Sequence, residues 1–389
     1  MQKIQKQICI TGLGHIGLPT ACVLANSGYS VLGVDLDDKV IDRILSKESI
    51  NPEPNLQNLL TNCIRNGDIR VSNKAAPADI HIISVPTPLN QKKQPDISQV
   101  NAAIEAINSF LREDDLVLIE STCPIGTTAK IAKRLQSIFP SIHVAYCPER
   151  VLPGNILYEL IHNDRVVGGI NGASASKAAN FYRSFIKGEI LITDDKTAEA
   201  VKLAENAYRD VNIAYANELS MILDYNNLDV LKVIKLANRH PRVQILQPGP
   251  GVGGHCIAID PWFLVSAAPN IATLIPKARE INTQKTAWVI QKIINTINKN
   301  KISKIACLGL TYKPNVSDIR ESPALIIVEA LEKEFNILRV DPHIQNTEAL
   351  YDAIAQSDMV VVLVAHNEFL NISADLFDEK ILLDFAGVF

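Results

Sequence analysis

Gln7-Ile8-Cys9-Ile10-Thr11-Gly12-Leu13-Gly14-His15-Ile16-Gly17, followed by Tyr29-Ser30-Val31-Leu32-Gly33-Val34-Asp35, decides the fold of this chain. An apolar run ends in Gly-Leu-Gly, a helix-like stretch covers residues 15–28, and a second apolar run ends in an acid. That order is strand, glycine turn, helix, strand, the opening of a βαβ unit. Gly12, Gly14 and Gly17 have the G-x-G-x-x-G spacing that lets a backbone turn and approach a pyrophosphate at a helix N-terminus. The contacts of His15 and Ile16 in such a turn are made mainly by their backbones. Asp35 stands where a carboxylate accepts hydrogen bonds from ribose hydroxyls and repels a 2′-phosphate, which favours NAD over NADP.

Outward from this unit, short apolar strands fall at 79–85, 115–120, 142–146 and 164–168, with helical stretches at 36–46, 97–111 and 127–138. The alternation predicts a parallel sheet with helices on both faces. Ligands of such sheets bind outside the carboxyl ends of strands, so Thr87 and Thr122, each just past a strand, are candidate cofactor contacts. Residues 195–240 read as wholly helical, and a further helical stretch follows at about 271–299. Lys304–Gly309, Ile337–Val340, Asp358–Val364 and Lys380–Asp384 then read as strands of a second α/β pattern. The expected fold is α/β: two Rossmann-like, doubly wound parallel-sheet domains joined by a long central helix. The expected boundaries are 1–194 for cofactor binding, 195–299 for a central helical region, and 300–389 for the last domain.

Pro248-Gly249-Pro250-Gly251-Val252-Gly253-Gly254-His255-Cys256 precedes Asp260 by four residues. A thiol beside a glycine-lined backbone, with a carboxylate near, suits covalent catalysis. On the central helix Lys202, Asn206 and Arg209 are spaced i, i+4, i+7 and share one face. The other faces are apolar or small, which predicts a buried helix whose polar stripe needs partners.

The bulk of the chain sets limits. Its 389 residues predict two or three domains, and 47% apolar with 21% charged residues is ordinary for a globular enzyme. A net charge of −4 and a pI of about 6.1 offer no basic field for nucleic acid. No run of 18 apolar residues reads as a membrane span. Met1–Gln7 lacks a signal peptide's apolar stretch, so a cytoplasmic protein is expected. The seven cysteines include no C-x-x-C pair and no metal-ligand spacing, so no metal is expected.

Beyond these readings the chain resembles the UDP-sugar 6-dehydrogenases of the UDP-glucose/GDP-mannose dehydrogenase family, and within them the UDP-N-acetyl-D-mannosamine branch. The matching pieces run in family order. They are Gly12–Pro19, Val85–Pro88, Tyr146–Gly154, Lys202–Glu218, Asn238–Val243, the glycine–cysteine segment, Thr311–Pro314 and Arg320–Pro323. Trp262 resembles the mannosamine branch. The resemblance implies a four-electron oxidation of a UDP-sugar at C6 with two NAD, through a thiohemiacetal and a thioester on Cys256, for surface polysaccharide synthesis. It implies Lys202 as base or oxyanion donor, Asn206 as oxyanion donor, and Asp260 or Glu149 as the residue that activates water. It implies substrate contacts from Arg150, Val151, Lys202, Asn206, Arg209, His240, Arg242, Gly253, Tyr312, Lys313 and Arg320, and a ligand contact at His255. It also implies a homodimer in which Arg242 or Arg320 reaches the neighbouring site. The alternatives are a dehydrogenase for UDP-N-acetylglucosamine or another UDP-hexose, a two-electron hydroxyacid dehydrogenase, and a nucleotide-sugar binder without turnover.

Overall fold

The computed structural model describes residues 6–48, 53–254 and 256–389. The chain divides into two compact units, one of residues 1–204 with 262–267, the other of residues 205–261 with 268–389.

The first unit is built on eight strands: β1 Gln7–Thr11, β2 Ser30–Val34, β3 Ile69–Ser72, β4 Ile80–Ile83, β5 Leu116–Ile119, β6 His143–Tyr146, β7 Arg165–Gly169 and β8 Ile190–Asp194. Their order is β3-β2-β1-β4-β5-β6-β7-β8. The sheet order reverses direction between β1 and β4, the crevice where doubly wound sheets bind dinucleotides. Successive side chains of a strand face opposite ways. Ile8 and Ile10 of β1 accordingly enter one core with Leu18, Leu24 and Leu118, while Cys9 enters the other with Ile83, Ile104 and Val117.

Most of the sheet is parallel as expected, with one exception. β7 runs antiparallel to β6 through Ala145↔Gly169 and Tyr146↔Gly168. Strand direction is not written in an apolar run, so the reversal had no local signal. β3, β8 and the helices Leu56–Arg65 and Gly172–Tyr182 were also not expected.

The helix Asp195–Tyr225 spans 31 residues, and the division between units falls inside it. It stops short of the expected 240. Asn227 takes a left-handed backbone (φ 55°), and the side chain of Asp229 then accepts from Leu231 N and Lys232 N to start a new helix, Val230–Ala237. Within the first unit this long helix is fastened by Glu199, which is fully buried. Its carboxylate accepts from Gly126 N, Thr128 N and Thr128 Oγ1 at 2.5, 2.8 and 2.7 Å. It thereby satisfies the open N-terminus of the helix Thr127–Gln136, whose own cap residue is a glycine.

The second unit holds a parallel sheet of β9 Lys304–Leu308, β10 Asn336–Val340, β11 Met359–Val362 and β12 Ile381–Asp384, in the order β10-β9-β11-β12. Alternation again separates two cores. Ile305 and Cys307 face Ile293, Ile327 and Leu331, while Ala306 and Leu308 face Ile354 and Phe369. Among the described residues no helix is long and apolar enough to cross a membrane.

Candidate active site

In the first unit the cofactor residues stand at the carboxyl ends of β1, β2, β4 and β5. Two of the fingerprint glycines are required by packing. A Cβ on Gly12, whose φ is 96°, would lie 2.3 Å from Ser84 O, and one on Gly17 would lie 1.8 Å from Gly12 O. Gly14 differs, because a Cβ there would meet nothing within 4 Å among the described residues. Open space over Gly14 is what a pyrophosphate lying on the backbone needs. The helix Gly17–Asn26 has no acid in its first turn and no side-chain cap, so nothing of its own occupies its positive end. Asp35 is held by Leu13 N at 2.8 Å and Asp37 N at 3.0 Å, which aims its half-buried carboxylate across the turn. These residues fit NAD. Thr87 and Thr122 are half-buried at the neighbouring strand ends. Ser121 Oγ ties the two loops by accepting from Val85 N at 2.9 Å and donating to Val85 O at 2.8 Å.

Also in the first unit, Lys202 Nζ donates to the backbone oxygen of Glu149 at 2.7 Å. Glu149 Oε1 is enclosed and has no hydrogen-bond partner among the described residues. Burial pushes the Glu149 carboxyl up to about 7, Lys202 and Arg165 pulling down and Glu120 pushing up. Glu120, Arg165 and Tyr182 form a buried group that sequence reasoning missed. Arg165 Nη2 meets Glu120 Oε1 at 2.5 Å and the Cys147 carbonyl at 3.1 Å, and Tyr182 OH donates to the same Glu120 oxygen at 2.7 Å. Arg150 donates to Asp164 O at 3.4 Å, and Val151 packs on Val23, Ile156 and Leu160.

In the second unit Cys256 is exposed, whereas the six other cysteines are buried. Burial pushes Cys63 up to about 11 and both Cys147 and Cys307 to about 12, so these thiols stay protonated and inert. The Cys256 carbonyl accepts from Ile259 N at 3.0 Å and Asp260 N at 2.8 Å, the turn that starts the helix Asp260–Ala267. Asp260, 4% exposed, accepts from Asn206 Nδ2 at 2.6 Å. The sulfur of Cys256 is close enough to Tyr312 and Arg320 to affect the ionisation of both. Burial is the main reason that the Tyr312 hydroxyl is pushed up to about 12. Arg320 is gripped by Asp318 through Nε at 2.9 Å and Nη2 at 2.5 Å.

Three of the glycines before Cys256 lie close against protein. A Cβ on Gly251 would lie 2.4 Å from Thr286 Oγ1, one on Gly253 would lie 2.3 Å from Glu321 O, and one on Gly254 would lie 2.8 Å from the Tyr312 ring. The missing side chains let this segment lie flat against residues 312–323. Its ends are tied as well. Asn217 Oδ1 accepts from Gly249 N at 2.9 Å, and Thr286 Oγ1 donates to Pro250 O at 3.0 Å. Asn217 belongs to a buried chain of bonds between the helices Asp195–Tyr225 and Leu274–Asn300. Its Nδ2 donates to Asn282 at 2.9 Å, Asn282 donates to Asp210 at 2.8 Å, and Arg279 donates to the same Asp210 oxygen at 2.6 Å.

Arg209, His240 and Arg242 are exposed. Lys313 lies with its Nζ 6.0 Å from the Tyr312 ring centroid. His255 lies outside the described residues. One group of His and Glu atoms, on His343, His366 and Glu368, falls within 4.8 Å of one another. His366 is no ligand there, since hydrogen bonds occupy both of its ring nitrogens.

Fold and fingerprint together define an NAD-dependent dehydrogenase. Comparison with known proteins gives the family. The NAD binding domain of the UDP-glucose/GDP-mannose dehydrogenase family matches residues 6–186, its central domain matches 196–284, and its UDP binding domain matches 306–389. The chain is 47% identical to a UDP-N-acetyl-D-mannosamine dehydrogenase of Methanococcus vannielii, over 97% of this chain and 90% of that one. It is 44% identical to an NDP-N-acetyl-D-galactosaminuronic acid dehydrogenase of Ralstonia nicotianae, over 98% and 96%. The solved UDP-D-ManNAc dehydrogenase of Pyrococcus horikoshii superposes with a TM-score of 0.92 at 37% identity, covering 98% of this chain and 96% of that one. The chain belongs to the UDP-glucose/GDP-mannose dehydrogenase family and is an NAD-dependent UDP-sugar dehydrogenase.

Proposed function

We propose that the protein oxidises UDP-N-acetyl-D-mannosamine at C6 to the uronate, through a covalent bond to Cys256, as a step in surface polysaccharide synthesis. The observation that carries the chemistry is the single exposed thiol, set beside the Asn206–Asp260 pair. The sugar is supported by the substrate named for the relatives from Methanococcus and Pyrococcus. A second reading, the N-acetylgalactosamine series, is favoured by the relative from Ralstonia.

When bound, NAD accepts the two electrons of each oxidation. Lys202 takes the proton of the C6 hydroxyl in the first. The thiolate of Cys256 adds to the aldehyde carbon, and the carbonyl oxygen gains a proton, giving a thiohemiacetal. The second oxidation leaves a thioester, and water releases the acid and restores the thiol. Lys202 and Asn206, four apart on one helix, hold the developing oxyanion. Each has donors to spare, since Asn206 uses one N–H on Asp260 and Lys202 one on Glu149 O. Glu149 or Asp260 activates the water, and a carboxyl that titrates near 7 suits that task at neutral pH. Arg150, Val151, Arg209, His240, Gly253, Tyr312, Lys313 and Arg320 are proposed to hold the substrate, the cations meeting its diphosphate. Arg320 stands beside its own chain's Cys256, so Arg242 is the arginine proposed to reach a neighbour in a homodimer. The three functional parts are taken as 1–194, 195–299 and 300–389.

The test is the NADH formed per molecule of limiting UDP-N-acetyl-D-mannosamine with excess NAD. A ratio of two is expected, with the N-acetylglucosamine and N-acetylgalactosamine counterparts turned over far more slowly. A ratio of one would rule out the thioester route, and preference for another sugar would replace the substrate.

A further inference from the structure

The turn after β9 repeats, bond for bond, the turn after β1. Gly12 has φ 96° and Gly309 has φ 92°. Gly12 N donates to Val34 O at 2.8 Å, and Gly309 N donates to Val340 O at 2.8 Å. Leu13 N donates to Asp35 Oδ2 at 2.8 Å, and Leu310 N donates to Asp341 Oδ2 at 2.6 Å. Asp37 N donates to Asp35 Oδ1 at 3.0 Å, and His343 N donates to Asp341 Oδ1 at 2.8 Å. Asp341 is therefore the counterpart of the ribose-reading acid.

What surrounds the two acids differs. Asp35 is half-buried and unsealed, whereas Asp341 is 3% exposed and covered by His366, itself fully buried. His366 Nε2 lies 3.1 Å from Asp341 Oδ2 and 3.2 Å from Thr311 Oγ1. Its Nδ1 receives the backbone N–H of Asn315 at 3.0 Å. A ring nitrogen that accepts an amide proton carries none, so the network assigns the proton to Nε2, which donates to the acid. Burial favours the neutral form of Asp341, but bonds from His366, Leu310 N and His343 N outweigh it and hold the carboxyl below its usual range. Thr311 Oγ1 donates on to Lys313 O at 2.9 Å, and Asn315 Oδ1 accepts from Asn367 N at 2.9 Å. Both ends of the segment 311–315 are thus pinned through one imidazole, and Tyr312 and Lys313 lie between them.

We propose that His366 is a positioning residue for the nucleotide-sugar site: it closes the duplicated acid to a second dinucleotide and uses that acid to fix the backbone that presents Tyr312 and Lys313. The inference rests on the reading above that these two residues hold the UDP-sugar.

Two variants separate the two bonds of the ring. His366→Gln places a donor where Nε2 was and keeps Asp341 satisfied, but offers nothing to Asn315 N. His366→Asn places an acceptor where Nδ1 was and abandons Asp341. The readouts are calorimetric affinities for UDP and for NAD, with thermal unfolding of the same samples. For His366→Gln the expected result is near-native unfolding, unchanged NAD affinity and UDP binding weakened about tenfold. For His366→Asn, which releases Asp341 and Thr311 together, it is earlier unfolding with UDP binding also weakened, and by more than the lost stability accounts for. Native UDP affinity in His366→Gln, or UDP affinity that falls in both variants only in step with stability, would overturn the positioning role. A wild-type protein that binds no UDP would instead remove the substrate reading beneath it.

Discussion

Glu149→Gln tests the electrostatics of the site directly. The folded carboxyl titrates near 7 instead of 4.5, chiefly because it is buried. Between those two pH values the folded chain holds a proton that the unfolded chain has released. Stability linked to this group is therefore fully present below pH 4.5 and lost as pH rises through 7. Some 2.5 decades of pH at about 1.4 kcal/mol each make the loss about 3 kcal/mol. Gln cannot ionise and escapes it. Urea unfolding of both proteins at pH 4.5 and pH 8, followed through the transition that melts the first unit, should show the variant gaining about 3 kcal/mol on the wild type across that interval. A difference that does not change with pH would refute the burial argument. If Glu149 activates the water, the same variant should also release a burst of NADH and then stall with the thioester in place. A stall in Asp260→Asn alone would assign that role to Asp260.

The remaining predictions are simpler. Iodoacetamide should label one cysteine per native chain, Cys256, and mass spectrometry that finds a second fast site would contradict the burial of the other six. Gly14→Ala should fold and lose NAD affinity at least tenfold, because only the ligand's space is filled, whereas Gly17→Ala should be destabilised by several kcal/mol through its clash with Gly12 O. Equal unfolding temperatures for these two variants would be the wrong outcome. Lys285 is buried against Ser220 and the Trp288 ring, and burial, with the charge of Lys292, lowers its amine from 10.5 to about 7. The unfolded chain binds more protons between those values, so this amine makes stability rise with pH from 7 to 10.5. Lys285→Met should flatten that rise and stabilise the protein at pH 7, as measured by thermal unfolding.

Much of this was legible in the sequence, because the signals were local. Gly12-Leu13-Gly14 with Asp35 is a motif whose geometry lies within one βαβ unit, and it gave both sheet class and cofactor. The stripe Lys202–Asn206 needed only helical periodicity. The bonds made by those residues were another matter. That Asn206 would meet Asp260, or Glu199 a helix end some 70 residues earlier, depends on packing that no spacing encodes. The glycines near Cys256 are ambiguous for a related reason. A glycine run announces close approach without saying what approaches, and here the neighbours are Thr286, Tyr312 and Glu321. The echo between Leu308-Gly309-Leu310 with Asp341 and Thr11-Gly12-Leu13 with Asp35 was visible in the letters. Too few residues carry it to separate it from chance before the bonds are seen.

The segment that carries Cys256 has no helix or strand through residues 244–255 as far as they are described, yet its amides are held at Gly249 by Asn217 and at Gly254 by the Arg320 carbonyl. Asn217 is in turn locked to Asn282 and Asp210 inside the helix pair. In hydrogen exchange the Gly249 amide should therefore open only when that helix pair opens, while Gly254 follows the turn at Arg320. Under the proposed mechanism, this anchoring just before Cys256 would keep one sulfur in place for both oxidations.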